Sequence, residues 1–112
     1  MKLITAVLRE EAVDDVQIAL ARLGISGMTV TEVSGYARQR GHTEVYRGEE
    51  FEIDFVTKIR IDMVVTDEDA DSIVDTICQA ARSGNIGDGK VWVVPVEEVV
   101  RVRTGERGEA AI

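Results

Sequence analysis

Residues 83–94 read Ser-Gly-Asn-Ile-Gly-Asp-Gly-Lys-Val-Trp-Val-Val, and what precedes and follows this stretch decides the fold. Gly84, Gly87 and Gly89 fall within six residues, Lys90 follows at once, and an apolar run of β-forming residues comes after. Glycines permit positive φ and let backbone N–H groups converge on one point, which is how a loop cradles phosphate oxygens. A lysine beside them adds a point charge. The same residues also serve as a helix stop and a tight turn into a strand, and Gly84 alone needs nothing more. The spacing is not that of a P-loop, whose Lys is followed by Ser or Thr. Both readings stay open at this point and have in common a helix before residue 83 and a strand after residue 90.

Working backwards, Asp67, Glu68 and Asp69 crowd the first turn of a helix, where its dipole favours acids, and Arg82 is expected in its last turn. Ala70, Ile73, Val74, Ile77, Cys78 and Ala81 recur as a buried stripe. Cys78 on that stripe reads as a small core residue, since nothing nearby would lower its pKa. Before the helix, Lys58 to Val65 alternates: Ile59, Ile61, Met63 and Val65 face one way, and Lys58, Arg60, Asp62 and Val64 the other. The same order appears in the N-terminal half. Leu3 to Leu8 is an apolar strand, and Val13, Val16, Leu20 and Leu23 form one helix face stopped by Gly24. Met28 to Ser34 is a second strand rich in Thr and Val. In the C-terminal half the strand Val91 to Val94 is ended by Pro95, and Val99 to Arg103 reads as a last extended piece with Arg101 and Arg103 on one face. From Gly105 the chain reads as a loose tail.

Two strand-helix-strand units joined by a long segment make an α+β, ferredoxin-like double split βαβ fold, with an antiparallel sheet and both helices on one face. The whole chain, 1–112, reads as one domain. Within it lie a long loop at 35–55 between strands 2 and 3, a loop at 82–90, and a C-terminal strand and tail at 101–112. The long loop is mostly charged and carries Tyr36, Tyr46 and Phe51, a composition suited to a surface that orders on meeting a partner. The second face of the sheet, with Thr29, Thr31, Val64 and Trp92 on or near it, has no helix left to cover it. Burial against identical copies is the simplest remedy, so a homo-oligomer is expected.

A net charge of −8 argues against a general nucleic-acid binder, whose affinity rests on a basic surface. The single cysteine excludes an intrachain disulfide and fits a reducing compartment. No apolar run has the length of a membrane span and no signal-peptide pattern opens the chain, so a cytoplasmic protein is expected. Against the acidic background, Lys58, Arg60, Lys90, Arg101 and Arg103 gather near the glycine-rich loop and point to an anion site. One histidine, His42, makes no metal cluster, and no Ser-His-Asp or Cys-His set is available, so catalysis is not expected. Asp88 reads as a turn-former or ligand contact, not a base.

Five stretches carry a resemblance to a known family: Gly-Met-Thr-Val-Thr-Glu-Val at 27–33, Arg38-Gln39, Gly-His-Thr-Glu-Val-Tyr-Arg-Gly at 41–48, residues 83–94, and Arg-Val-Arg-Thr-Gly-Glu at 101–106. The chain resembles the PII signal-transduction proteins over essentially its whole length. The resemblance implies a homotrimer that binds ATP or ADP in three clefts between subunits. There Gly87, Asp88, Gly89 and Lys90 would hold phosphates with Arg38, Arg101 and Arg103, and Thr29 and Val64 would lie near the base. Gly35, Ala37 and Asp62 complete the implied ligand-binding set. With MgATP bound, 2-oxoglutarate would join the phosphates around Mg²⁺, Gln39 supplying a side-chain oxygen and Lys58 meeting the far carboxylate. This suits a hard cation that takes oxygen ligands and a dicarboxylate that needs a positive partner. The loop would then select a target, such as an ammonium channel or a nitrogen-assimilation enzyme, with Arg47 as the docking residue, and any membrane contact would be through a transporter partner.

The chain departs from the family pattern in places. Phe51 stands where a tyrosine is usually nucleotidylated, and Glu49 where some members carry a phosphorylated serine, so no covalent modification is expected there. Ala37 replaces a glycine, Thr57 a proline, and Arg9-Glu10-Glu11 a common Lys-Pro-Phe. Three functions follow from these residues: a ligand-controlled regulator of nitrogen metabolism, a PII-like paralogue serving carbon or metal transport with another effector, or a slow ATPase using the same site. The missing base constellation favours the regulator.

Overall fold

The computed structural model describes residues 1–25, 27–36 and 55–112. The expectations for Ala37, Arg38, Gln39, His42, Tyr46, Arg47, Glu49 and Phe51 lie outside the described residues. Four strands, β1 (Lys2–Arg9), β2 (Thr29–Gly35), β3 (Val56–Val65) and β4 (Gly89–Pro95), form one sheet in the order β2-β3-β1-β4, every neighbouring pair antiparallel. Helices α1 (Val13–Arg22) and α2 (Asp67–Ala81) pack on one face of it. This is the expected α+β double split βαβ arrangement.

The alternation of each strand sets the core. Ile4, Ala6 and Leu8 of β1 and Ile61, Met63 and Val65 of β3 point toward the helices and are buried, and Ile59 is half-buried. Val16 and Leu20 of α1 and Ala70, Ile73, Ile77 and Ala81 of α2 close over them. Val74 and Cys78 sit at the margin of that stripe, half-buried. Helix α2 is capped by Thr66, whose side-chain oxygen accepts a hydrogen bond from the Asp69 N–H at 3.3 Å, satisfying one of the free donors of the first turn.

Helix α1 ends as a Schellman turn. Gly24 adopts φ +87°, its N–H donates to the Ala21 carbonyl, and the Ile25 N–H reaches back to the Leu20 carbonyl. Leu23, expected on the buried face, is 45% exposed because it lies beyond the last full turn. Helix α2 does not run to Gly84, as the glycine suggested. Arg82 is already extended (φ −69°, ψ 124°), so it lies outside the helix rather than in its last turn. Pro95 does not stop the last strand but is its final residue, opposite Lys2 on a sheet edge where a missing N–H is tolerated.

The C-terminal segment also differs from expectation. Val99–Arg103 is not a strand: Val100 makes a single bridge with Arg107, and the chain turns tightly at residues 102–104. The Arg101 N–H donates to the Glu106 carbonyl and the Gly105 N–H to the Arg101 carbonyl. Arg101 and Arg103 therefore sit in a turn, not on one strand face. The tail is not loose either; it closes in a 3-10 turn at Gly108–Ala111, and the Arg101 guanidinium reaches the Ile112 carbonyl at 3.3 Å.

Candidate anion site

The pairing register lays the side chains of the uncovered sheet face in rows. One row holds Val64, Leu3 and Val94, and the next Thr29, Asp62, Thr5 and Trp92. Beyond them come Thr31, Arg60, Val7 and Lys90, and finally Val33, Lys58 and Arg9. The face thus grades from an apolar end to a basic end, and the glycine-rich loop that leads into β4 adjoins the basic end.

That loop is built from inside. The Asp88 carboxylate accepts hydrogen bonds from the Ser83 N–H at 2.8 Å, the Gly84 N–H at 2.9 Å and the Ser83 hydroxyl. These donors, the Ser83 hydroxyl foremost, hold Asp88 below its ordinary carboxylate pKa, with the charge of Arg9 adding to them against a modest desolvation penalty. Of the two roles expected for Asp88, the turn-forming one is observed for its side chain. Gly89 has φ +110°, and a Cβ there would be driven into the Val7 carbonyl oxygen, so only glycine lets β4 join β1 at this point. Gly87 has φ +101°, and its carbonyl accepts a hydrogen bond from Lys58 Nζ at 2.6 Å. Lys58 is thereby fixed beside the loop, and Gly35, at the end of β2, packs near the Lys58 stem.

Lys90 is exposed, one residue after the loop. Arg60 donates to Asp62 at 2.9 Å and 3.3 Å, and Asp62 also accepts from the wholly buried Thr5 hydroxyl at 2.6 Å. The Arg60 hydrogen bond is the chief reason why the Asp62 pKa is lowered, against the opposing effect of burial. Thr29 lies opposite Asp62, and Val64 opposite Leu3 at the apolar end.

Not every expected residue meets the others within one chain. Strand β4 runs from Gly89, opposite Leu8, to Pro95, opposite Lys2, a rise of roughly 20 Å. The segment carrying Arg101 and Arg103 departs from the far end. Among the described residues no hydrogen bond or ion pair joins it to the glycine-rich loop. Arg101 is paired with Glu106 at 2.8 Å, whereas Arg103 has no ion-pair partner among the described residues. Sequence reasoning passed over Arg9 and Ser83, which shape the loop. Their one sequence signal is position, at a strand end and a helix end that topology brings together. Among the described residues no group of His, Cys, Asp and Glu could hold a metal ion. No helix there is long and apolar enough to cross a membrane. A cationic sheet end beside a glycine-rich loop suits a polyphosphate or a dicarboxylate better than a bare cation.

Residues 1–106 match the family described as nitrogen regulatory protein P-II. The chain belongs to the P-II family. It is 54% identical over all 112 residues, the full length of both chains, to nitrogen regulatory protein P-II of Klebsiella oxytoca and to nitrogen regulatory protein P-II 1 of Escherichia coli K12. The P-II protein of Pasteurella multocida is 51% identical over the same span. Among solved structures, Arabidopsis thaliana PII bound to citrate superposes with a TM-score of 0.81 at 40% identity, covering 99% of this chain and 91% of that one. These relatives are named for regulation and not for a reaction, in keeping with the expectation that the chain is not an enzyme.

Proposed function

We propose that this P-II protein is a cytoplasmic homotrimer that binds ATP or ADP between its subunits and controls a target of nitrogen metabolism by ligand state alone. One observation carries the reading: Lys90 opens β4, whereas the Arg101–Arg103 turn follows its other end, and among the described residues no hydrogen bond or ion pair joins that turn to the glycine-rich loop. A site that uses both Lys90 and the Arg101–Arg103 turn is then completed by a second copy laid against the open sheet face. The apolar end of that face supplies the surface for the copy, and the basic end faces the nucleotide. Gly87, Gly89 and Lys90 would hold phosphates from one subunit, with Arg101 and Arg103 from its neighbour, and Thr29 and Val64 near the base.

Lys58 supports the effector half of the reading. Its ammonium stands at the Gly87 carbonyl, where a dicarboxylate such as 2-oxoglutarate would find a cation beside the phosphates. Gln39 would provide an oxygen to Mg²⁺ held between the two ligands, and Arg38 would join the phosphate contacts. The loop at 35–55, with Arg47 as docking residue, would hold an ammonium channel or an assimilation enzyme in one nucleotide state and release it in another. A ligand shifts that equilibrium only through its different affinity for the two loop shapes.

Complementation tests the shared site. Lys90→Ala and Arg103→Ala trimers are each expected to bind ATP weakly. After unfolding and refolding together, mixed trimers regain wild-type sites, because an intact Lys90 from one chain meets an intact Arg103 from another. Calorimetry that shows no recovered high-affinity sites in confirmed mixed trimers overturns the reading.

A further inference from the structure

Arg9 stands where the glycine-rich loop starts and where it ends. Its Nη2 donates to the Ala81 carbonyl at 2.9 Å, the last residue of α2, where the helix leaves a carbonyl without an internal partner. A cation there also opposes the negative end of the helix dipole. Its Nε lies 3.3 Å from Asp88 Oδ1, the carboxylate that gathers Ser83 and Gly84. The third nitrogen, Nη1, stands 3.7 Å from Glu11 Oε2. One planar guanidinium thus links residue 81 to residue 88 across the mouth of the loop, with Glu11 behind it.

The Nε atom is buried and, although close to Asp88, is not aligned for a hydrogen bond. It acts on Asp88 by charge, while the loop N–H groups fix the carboxylate's direction. The register also sets Arg9 opposite Lys58, whose ammonium holds the Gly87 carbonyl. Two neighbouring cations, one on β1 and one on β3, therefore hold adjacent residues of the loop.

We infer that Arg9 is a positioning residue for the glycine-rich loop: it clamps the two ends of the loop and so presets the shape in which Gly87, Gly89 and Lys90 meet phosphate. The inference rests on the nucleotide reading above but adds a residue that touches no ligand. A lysine, the common family residue at this position, would meet the carbonyl or the carboxylate but lacks the fork that spans both together.

The test combines two measurements on the assembled protein. Amide hydrogen exchange of Ser83 and Gly84 reports the clamp without any nucleotide, and calorimetry with ATP and with ADP reports its use. In Arg9→Ala, exchange at both amides should speed up and ATP affinity should fall about tenfold, the weight of one ordinary charge-assisted contact. Arg9→Lys, which can meet only one of the two acceptors at a time, should recover each in part. In an Asp88→Asn background, Arg9→Ala should add almost nothing to the loss of affinity, whereas a general loss of stability would add in full. Unchanged exchange in Arg9→Ala overturns the clamp. Faster exchange with unchanged ATP affinity overturns its positioning role. A wild-type protein that binds neither nucleotide overturns the nucleotide reading and this role with it, while the exchange data still decide whether the clamp exists.

Discussion

The two ends of the uncovered sheet face are built from the same four strands and need opposite partners. At one end Val64, Leu3 and Val94 face outward, with Val94 40% exposed and Trp92, one row on, 41% exposed. Contiguous apolar surface of this kind suits a second copy of the chain and, at Val64, the flat apolar face of a base, but offers nothing to phosphate. At the other end Lys58, Arg60, Lys90 and Arg9 converge beside a loop that only glycine can form. That end gains from an anion and would repel a copy of itself. On the proposed reading, assembly and phosphate recognition are separated along the strands by side-chain choice alone, with Asp62 and Thr5 in between.

The largest effect should come from giving the apolar end the character of the other. Val94→Glu places an unpaired carboxylate where the copy must pack, and a buried charge without a partner costs about 3–5 kcal/mol. Sedimentation should show monomers, while circular dichroism stays native because the core on the helix side is untouched. A Val94→Glu trimer would show that this end is not the assembly surface.

Next in size is the mirror change at the basic end. Lys90→Ala should weaken ATP binding ten- to a hundred-fold, since one charge-assisted contact contributes about 1.5–3 kcal/mol. The sedimentation coefficient should not change. Loss of assembly in Lys90→Ala would erase the division of labour between the two ends.

Both ends were legible in the sequence to different degrees, for physical reasons. The strict alternation from Lys58 to Val65 already put Arg60, Asp62 and Val64 on the face away from the helices, because a strand has no other way to place them. The glycine-rich loop was legible as a turn, since φ > 0 at Gly87 and Gly89 is a local property. Which cations share a row was not legible, because register depends on strand pairing far apart in the chain. Arg9 beside Asp88 is such a case. The segment at 99–103 misled for the opposite reason: its alternating Val and Arg mimic a strand, yet among the described residues it pairs with no strand of the sheet and makes only the single bridge from Val100 to Arg107. The Arg101–Glu106 pair and the turn around Thr104 determine its shape instead. Residues 37–54 lie outside the described part, so the expectations for Gln39 and Arg47 remain those of the family resemblance.

The smallest effect should come from the residue between the two ends. Asp62 has a lowered pKa, chiefly through its hydrogen bond from Arg60, with burial opposing and the Thr5 hydroxyl assisting. A carboxyl group with a folded pKa below its unfolded one stabilises the fold above the unfolded value, and that contribution is lost as the pH falls through the folded value. The window therefore lies below about pH 4. Arg60 is 44% exposed at its side chain, so the pair is well screened and Asp62→Asn should cost only about 0.5 kcal/mol at neutral pH. Thermal melts taken from pH 6 down to pH 3 should show a shallower acid decline in the variant, and an identical decline would remove Asp62 from the account. ATP affinity in the same variant distinguishes its two roles. If Asp62 contacts the ligand, affinity falls; if it only neutralises Arg60, the freed guanidinium joins the basic end and affinity holds or rises.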